Sequence, residues 1–343
     1  MERLHPLDEW AEVLAAGGSH FETLSLGEVA CQGRRLPIQA VAMGNPDRQL
    51  PAVGFFGGFH GLELIGAEVV LAYLRSLAAR LRWDGALHRL LETVRLVFMP
   101  LVNPGGMLRG TRANPNGVDL MRNAPVDSLE PVPWLIGGQR LSPRLPWFRG
   151  RPSQAMEPEN QAVCALVEAE FLGRPFSLTL DCHSGFGVRD RIWFPYAHTR
   201  RPIAQLAELH ALGDLLQETL CNHRYVFEPQ SSQYLAHGDL WDHLHLRSLA
   251  RPGQVFLPMT LELGSWAWVK KNPRQIFRPL GIFYPLIEHR QRRVLRSHLS
   301  LLEFLVHAGA SQQNWLPTGA DRDRQQARAL ARWYPDLPAP GRP

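Results

Sequence analysis

The sequence predicts an α/β protein: a mostly parallel or mixed central sheet covered by helices on both faces. Two observations carry this. Apolar runs of strand length, at residues 50–56, 94–101, 176–182 and 257–263, alternate with segments whose apolar residues recur at helical spacing. Each run also leads into chemically loaded residues, and in open sheets of this kind ligands bind beyond the carboxyl ends of the strands. Composition agrees, since 45% of the 343 residues are hydrophobic and 20% are charged, enough for a sizeable core.

Taken in order, residues 5–16 read as a short helix closed by Gly17 and Gly18. Residues 21–26 and 36–43 have strand character and are expected to form an edge hairpin or meander. The run at 50–56 suits a strand covered on both sides. It ends in Gly57-Gly58-Phe59-His60-Gly61-Leu62-Glu63, a glycine turn followed by a His and a Glu. A helix over 63–81 follows, with Leu64, Ala67, Val70, Leu71 and Leu74 on its apolar face, then a second helix over 86–92. The strand at 94–101 runs into Asn103-Pro104-Gly105-Gly106, and the polar, aperiodic stretch 109–123 reads as loop.

Residues 125–153 hold many prolines with Trp134, Trp147 and Phe148. A loop of that length inside a compact domain is usually functional, so it is expected as an ordered flank of the site with its aromatics packed. Helices are expected over 157–172 and 202–221, a loop and helix over 233–249, and a long helix over 286–307 with arginines on one face. The strand at 176–182 runs straight into His183, and the strand at 257–263 carries Glu262 near its end. The expected organisation is one catalytic domain over 1–310 and a Pro-rich C-terminal appendage over 311–343, with a short helical stretch near 321–332.

Charge and cysteine usage exclude several classes. The formal net charge is +5, from 37 basic and 32 acidic residues, and all the basic residues except Lys270 and Lys271 are arginines. They are spread along the chain beside acids, so no nucleic-acid partner is expected. Cys31, Cys164, Cys182 and Cys221 form no C-x-x-C pair and read as free thiols of a reducing compartment. No stretch is long and apolar enough to span a bilayer, so no membrane partner is expected. The N-terminus carries Glu2, Asp8, Glu9 and Glu12 and reads as an amphipathic helix, not a secretory signal; a cytoplasmic enzyme is the default expectation.

The loaded strand ends suggest metal chemistry. His60 and Glu63 can aim an imidazole and a carboxylate at one point, and His183 can supply a third ligand from another strand. A catalytic zinc, one per chain, takes three such ligands. Glu262 then offers a carboxylate to take a proton from the attacking water. An arginine is needed for the developing oxyanion, and another to hold a substrate carboxylate by a fork of hydrogen bonds. Either histidine alone reads as an ordinary structural residue; it is the set that carries the zinc reading. Asp181 could orient His183 or cap a turn. Asp239, Asp242, His243 and His245 look like a second cluster by count, but their spacing favours a polar helix start. Cys182 reads as a buried strand residue, because nothing nearby would activate its thiol. Trp266 and Trp268 are either core or the wall of a substrate pocket.

The sequence resembles the zinc carboxypeptidase family through Gly57-Gly58-Phe59-His60-Gly61-Leu62-Glu63, V-N-P-G-G at 102–106, Gly110-Thr111-Arg112, G-V-D-L-M-R-N at 117–123, L-D-C-H-S-G at 180–185 and T-L-E-L-G at 260–264. The resemblance implies a carboxypeptidase-like fold, a zinc held by His60, Glu63 and His183, and Glu262 as general base acting on a peptide or amide bond. It implies that Arg112 polarises the scissile carbonyl, that Arg122 binds a terminal carboxylate, and that Asp119 supports the His60 ring. Tyr234 matches the family's mobile tyrosine. One departure stands out: the family usually has Asn before the carboxylate-binding arginine, and this chain has Met121, whose thioether donates no hydrogen bond. Either Asn123 or Asn114 compensates as a substrate-binding amide, or the substrate is not a simple peptide. No prosegment is expected, since His60 lies so near the start. Two alternatives remain open: an N-acyl amino acid deacylase resembling the succinylglutamate desuccinylase and aspartoacylase group, and a non-catalytic binding protein on a degenerate peptidase scaffold.

Overall fold

The architecture comes from a computed structural model, which describes residues 5–222, 225–278 and 280–336. Residues 1–4, with Glu2 of the expected amphipathic helix, and residues 337–343 of the expected appendage lie outside the described residues.

Helix α1 (Pro6–Gly17) starts with proline at its first position and His5 as its cap. The hairpin β1 (Glu22–Cys31) and β2 (Arg34–Gly44) follows, longer than the two expected strand segments. Next come β3 (Ala52–Gly57), α2 (Leu64–Arg80), α3 (Gly85–Leu91), β4 (Arg95–Met99) and α4 (Pro104–Arg109). After the long loop come α5 (Pro158–Glu170), β5 (Phe176–Ser184), β6 (Arg191–Phe194), α6 (Leu206–Thr219) and β7 (Val226–Pro229). The chain ends with α7 (Leu240–Ser248), β8 (Val255–Leu263), α8 (Trp266–Lys271), α9 (Glu288–Ala310) and α10 (Gly319–Trp333). None of the described helices is long and apolar enough to cross a membrane.

Among the described residues the strands form one eight-stranded mixed sheet in the order β1-β2-β4-β3-β5-β8-β6-β7. Its centre, β4-β3-β5-β8, is parallel, while β2 and β6 run antiparallel to their inner neighbours. The four strands expected from apolar runs are these central four. β6 and β7 were not expected, because each is only four residues long and mixes polar with aromatic residues.

Alternation along β3 explains why the sheet is covered on both sides. Val53 and Phe55 enter one core with α1, α2, α6 and α9, whereas Ala52 and Phe56 enter the other with α5 and α7. Phe55 and Phe56 are fully buried, a contribution of about 1.5–3 kcal/mol each. Helix α2 lies close on the sheet because residue 66 is glycine: a Cβ there would sit 2.1 Å from the Cys182 carbonyl oxygen.

The described part of the C-terminal stretch, residues 311–336, does not hang free as an appendage. Helix α10 packs on α6, with Ala329 fully buried and Trp333 set against Phe194 and Phe227 at ring distances of 4.9 and 6.1 Å. Arg322 Nε donates to Glu208 Oε1 at 2.7 Å. The strongly polar composition hides a narrow apolar stripe, Ala329, Leu330, Trp333 and Tyr334, at helical spacing.

Candidate active site

The site grows from the carboxyl ends of β3, β4, β5 and β8. Gly58 sits at φ +71°, where only glycine is unstrained, and a Cβ there would meet Met107 Cε at 2.1 Å. The turn is held from the β4 side. Asn103 donates from Nδ2 to the Phe59 carbonyl at 3.0 Å, while its Oδ1 accepts from Gly106 N at 2.8 Å and so caps α4. That short helix was not legible as one, since its Pro-Gly-Gly start reads as turn.

His60 and Glu63 project from this turn, and His183 comes from the end of β5. His60 Nδ1 lies 2.9 Å from Glu63 Oε1, and His183 Nδ1 lies 3.1 Å from Glu63 Oε2. One donor atom from each of the three residues falls within 4.8 Å of the others, and all three are buried. The far nitrogens are held by carboxylates. His60 Nε2 is 3.2 Å from Asp119 Oδ1, and His183 Nε2 is 2.6 Å from Asp181 Oδ2. Donation from Nε2–H to each carboxylate fixes a tautomer whose Nδ1 lone pair faces the third donor, an arrangement suited to holding a cation such as zinc.

Asp181 thus orients His183, which resolves the choice left open by the sequence. The signal was present: Asp181 and His183 are two residues apart on one strand, so both project from the same face. The indole of Trp241, unsuspected from sequence, donates to the same Asp181 oxygen at 3.0 Å.

Glu262 stands beside His183 in the β5–β8 register, and its Oε1 accepts from Phe186 N at 2.9 Å. Burial and then the charge of Glu63 push the Glu262 carboxyl up to about 8, against the opposing pull of His183 and Arg112. Burial also penalises the Glu63 charge, but His60 and His183 outweigh it and hold that carboxyl well below its usual range. Asp119 is likewise held low against burial, by Arg112 and then His60. Arg112 bridges the set, donating from Nε to Asp119 Oδ2 at 2.8 Å and from Nη1 to Glu63 Oε1 at 3.3 Å.

These groups line a cavity of about 930 Å³. Arg122 and Tyr234 face it. Arg122 donates to the Ile136 and Met121 carbonyls at 3.1 and 3.0 Å, and its Nη2 lies 3.5 Å from the Tyr234 hydroxyl. Met121 lines the same cavity. Asn123 does not. Its Nδ2 donates to the Arg149 carbonyl at 3.0 Å and its Oδ1 accepts from Glu157 N at 2.7 Å, so the expected substrate-binding amide is committed to the loop. Asn114 is committed in the same way, donating to Glu157 and accepting from Asn116 N and Val118 N.

The loop at 125–153 is ordered by Gln139, whose Nε2 donates to the Ser142, Leu145 and Pro146 carbonyls. Of its aromatics, Phe148 is buried and Trp147 lines the cavity, but Trp134 is 79% exposed and packs on little. Trp268 is core and Trp266 is cavity wall, so both readings of that pair apply. Asp239 caps α7 by accepting from Asp242 N at 2.9 Å, and Asp242 Oδ2 lies 2.6 Å from His198 Nδ1, in line with a polar helix start. Cys182 is buried, and burial raises its thiol well above the ordinary value. All four cysteines are free.

A family model described as zinc carboxypeptidase matches residues 8–248. Mouse carboxypeptidase D is 26% identical over 285 residues, which cover 76% of this chain and 18% of that protein. Carboxypeptidase E of Caenorhabditis elegans is 30% identical over 149 residues, covering 39% of this chain and 30% of its own. The chain therefore spans under a third of the length of these curated relatives. The structure of bovine thrombin-activatable fibrinolysis inhibitor, solved with a tick carboxypeptidase inhibitor, superposes with a TM-score of 0.64 at 18% identity, covering 91% of this chain and 98% of that one. Carboxypeptidase A from Helicoverpa armigera gives a TM-score of 0.56 at 17% identity, covering 84% and 71%. These two share the fold, and the matched segment contains every candidate residue except Glu262. The chain belongs to the zinc carboxypeptidase family.

Proposed function

We propose that the protein is a zinc-dependent, metallocarboxypeptidase-like hydrolase that cleaves a peptide or amide bond. The observation that carries this reading is the paired His60–Asp119 and His183–Asp181 contacts, which turn both Nδ1 atoms toward Glu63 with Glu262 lining the same cavity. A zinc ion held by His60, Glu63 and His183 would supply Lewis acidity toward a carbonyl oxygen and toward water.

The remaining work falls to the chain's own groups. Glu262, which lines the same cavity as His60, Glu63 and His183, takes a proton from the attacking water and returns it to the leaving nitrogen. The Arg112 guanidinium, fixed by Asp119, places positive charge where the carbonyl oxygen becomes an oxyanion. Arg122 and Tyr234 hold the polar end of the substrate, Arg122 through the donors its two carbonyl contacts leave over. With Met121 beside it and Asn123 turned away, this end lacks the usual side-chain amide, so a free carboxylate is gripped less firmly.

The aromatic walls of Phe186, Trp193 and Trp266, which suit an acyl group, keep the N-acyl amino acid deacylase as a second reading. A panel of free-carboxylate peptides, their C-terminal amides and N-acyl amino acids, assayed on zinc-loaded protein, separates the two. Turnover of peptides supports the peptidase. Turnover confined to N-acyl amino acids removes the peptidase reading, and no turnover of any member leaves only a binding role.

A further inference from the structure

We propose that the face built from residues 266–278 and 280–296 is a peripheral docking surface for an anionic bilayer, bordering the cavity. These residues carry eight basic side chains and a single acidic one, Glu288, while the whole chain is only +5, so the rest of the chain is net acidic. Both lysines of the protein lie here. Lys270, Lys271, Arg274 and Arg278 are exposed along α8 and the turn after it. Arg292, Arg293 and Arg296 are exposed on the first turns of α9. The two parts are joined, since Arg290 Nη1 donates to the Trp268 carbonyl at 3.3 Å.

Charge alone would fit any polyanion. The bilayer is singled out by the apolar side chains set among these cations. Phe277 is 87% exposed, and Ile276 and Trp266 are about half exposed, on the same short segment. Large aromatic and aliphatic groups interleaved with Lys and Arg are the composition of an interfacial anchor, whose apolar tips enter the headgroup region while the cations meet anionic lipids. The display is a fixed feature of the fold. Gln275, between Arg274 and Ile276, is buried and its Nε2 donates to the Gly281 and Tyr284 carbonyls, which holds the turn with Phe277 pointing out. From the sequence no membrane partner is expected, because no stretch spans a bilayer; surface attachment needs no span. Trp266, Lys270 and Ile276 also line the cavity, so this face borders it.

The test is co-sedimentation of the full chain with vesicles of phosphatidylcholine alone and of phosphatidylcholine with about a third phosphatidylglycerol, at roughly 0.05 and 0.5 M salt. Binding is expected to the anionic vesicles only, and to fall steeply at the higher salt. Phe277→Ser, which leaves the charge unchanged, is expected to weaken partitioning by about tenfold. Arg292→Gln with Arg293→Gln is expected to weaken it by roughly 25-fold, about fivefold per charge removed. Both variants alter exposed side chains outside the cavity lining, and unchanged thermal melts verify that they fold. Failure of the wild-type chain to sediment with anionic vesicles overturns the proposal. Sedimentation that Phe277→Ser leaves unchanged also overturns it, since the surface would then be a site for an acidic macromolecule rather than a bilayer.

Discussion

Asp181→Asn tests how the metal site is held. Asp181 is fully buried on β5, and one of its oxygens receives both His183 Nε2, at 2.6 Å, and the Trp241 indole N–H, at 3.0 Å. Its other oxygen, also buried, has no hydrogen-bond partner among the described residues. Asparagine keeps the accepting oxygen, so the ring stays in place, but its NH₂ lands where nothing accepts. That leaves a buried donor unpaired, at a cost of about 1–3 kcal/mol to folding. Separately, the lost negative charge makes the imidazole less basic at Nδ1. Partners of this kind are worth about 10–100-fold in metal affinity, or about 1.4–2.8 kcal/mol. Two measurements separate the effects: thermal melts of metal-free protein report the first, and chelator competition for zinc reports the second. The expected result is a lowered melting temperature and a zinc Kd raised at least about tenfold. A variant whose melt shifts while its zinc affinity stays at the wild-type value would refute the reasoning, since Asp181 would then be a purely structural residue.

Other outcomes follow from the same geometry. Met121→Asn restores an amide donor beside Arg122, and one hydrogen bond to a carboxylate is expected to raise kcat/KM for free-carboxylate peptides about 10–100-fold over their amides; no change means the substrate is held differently. Burial, then the charge of Asp242, push the Asp239 carboxyl up to about 7, so the folded state binds this proton more tightly than the unfolded chain. Its contribution to stability is full below about pH 4 and is lost as pH rises toward 7. Asp239→Asn keeps the cap on α7 but does not titrate, so its stability relative to wild type should grow across that window by about 1–3 kcal/mol in urea melts; a constant difference would contradict the assignment. Gly66→Ala forces a Cβ against the Cys182 carbonyl, and is expected to cost about 1–3 kcal/mol of stability or more; an unchanged urea midpoint would mean α2 shifts freely on the sheet.

Much of the site was legible because its chemistry sits at the ends of long apolar strands. The runs at 50–56, 94–101, 176–182 and 257–263 are buried on both faces, so hydrophobicity alone marks them, and His60, Glu63, His183 and Glu262 fall where those runs stop. Asp119, read as the support of His60, lies within hydrogen-bond reach of it. What stayed hidden depended on tertiary partners. Asn123 is as polar as any substrate-binding amide, and only the positions of Arg149 and Glu157 show that its hydrogen bonds are already taken. Trp241 reads as helix core until its N–H is seen on Asp181. β6 and β7 owe their strand state to neighbours more than to their own four residues each. Helix α10 and its cap hide the apolar side chains of Ala329, Leu330, Trp333 and Tyr334 in an arginine-rich stretch, and composition averaged over the stretch conceals them.

The central claim is that His60, Glu63 and His183 hold one zinc that works with Glu262 as the proton-accepting base. The most direct measurement is zinc content alongside turnover, on wild type and Glu262→Gln, using whichever substrate the panel identifies. The account predicts one zinc per chain in both proteins and a loss of at least about 100-fold in kcat in the variant. A wild-type chain that binds no zinc, or a Glu262→Gln chain that holds zinc and turns over at the wild-type rate, would contradict it.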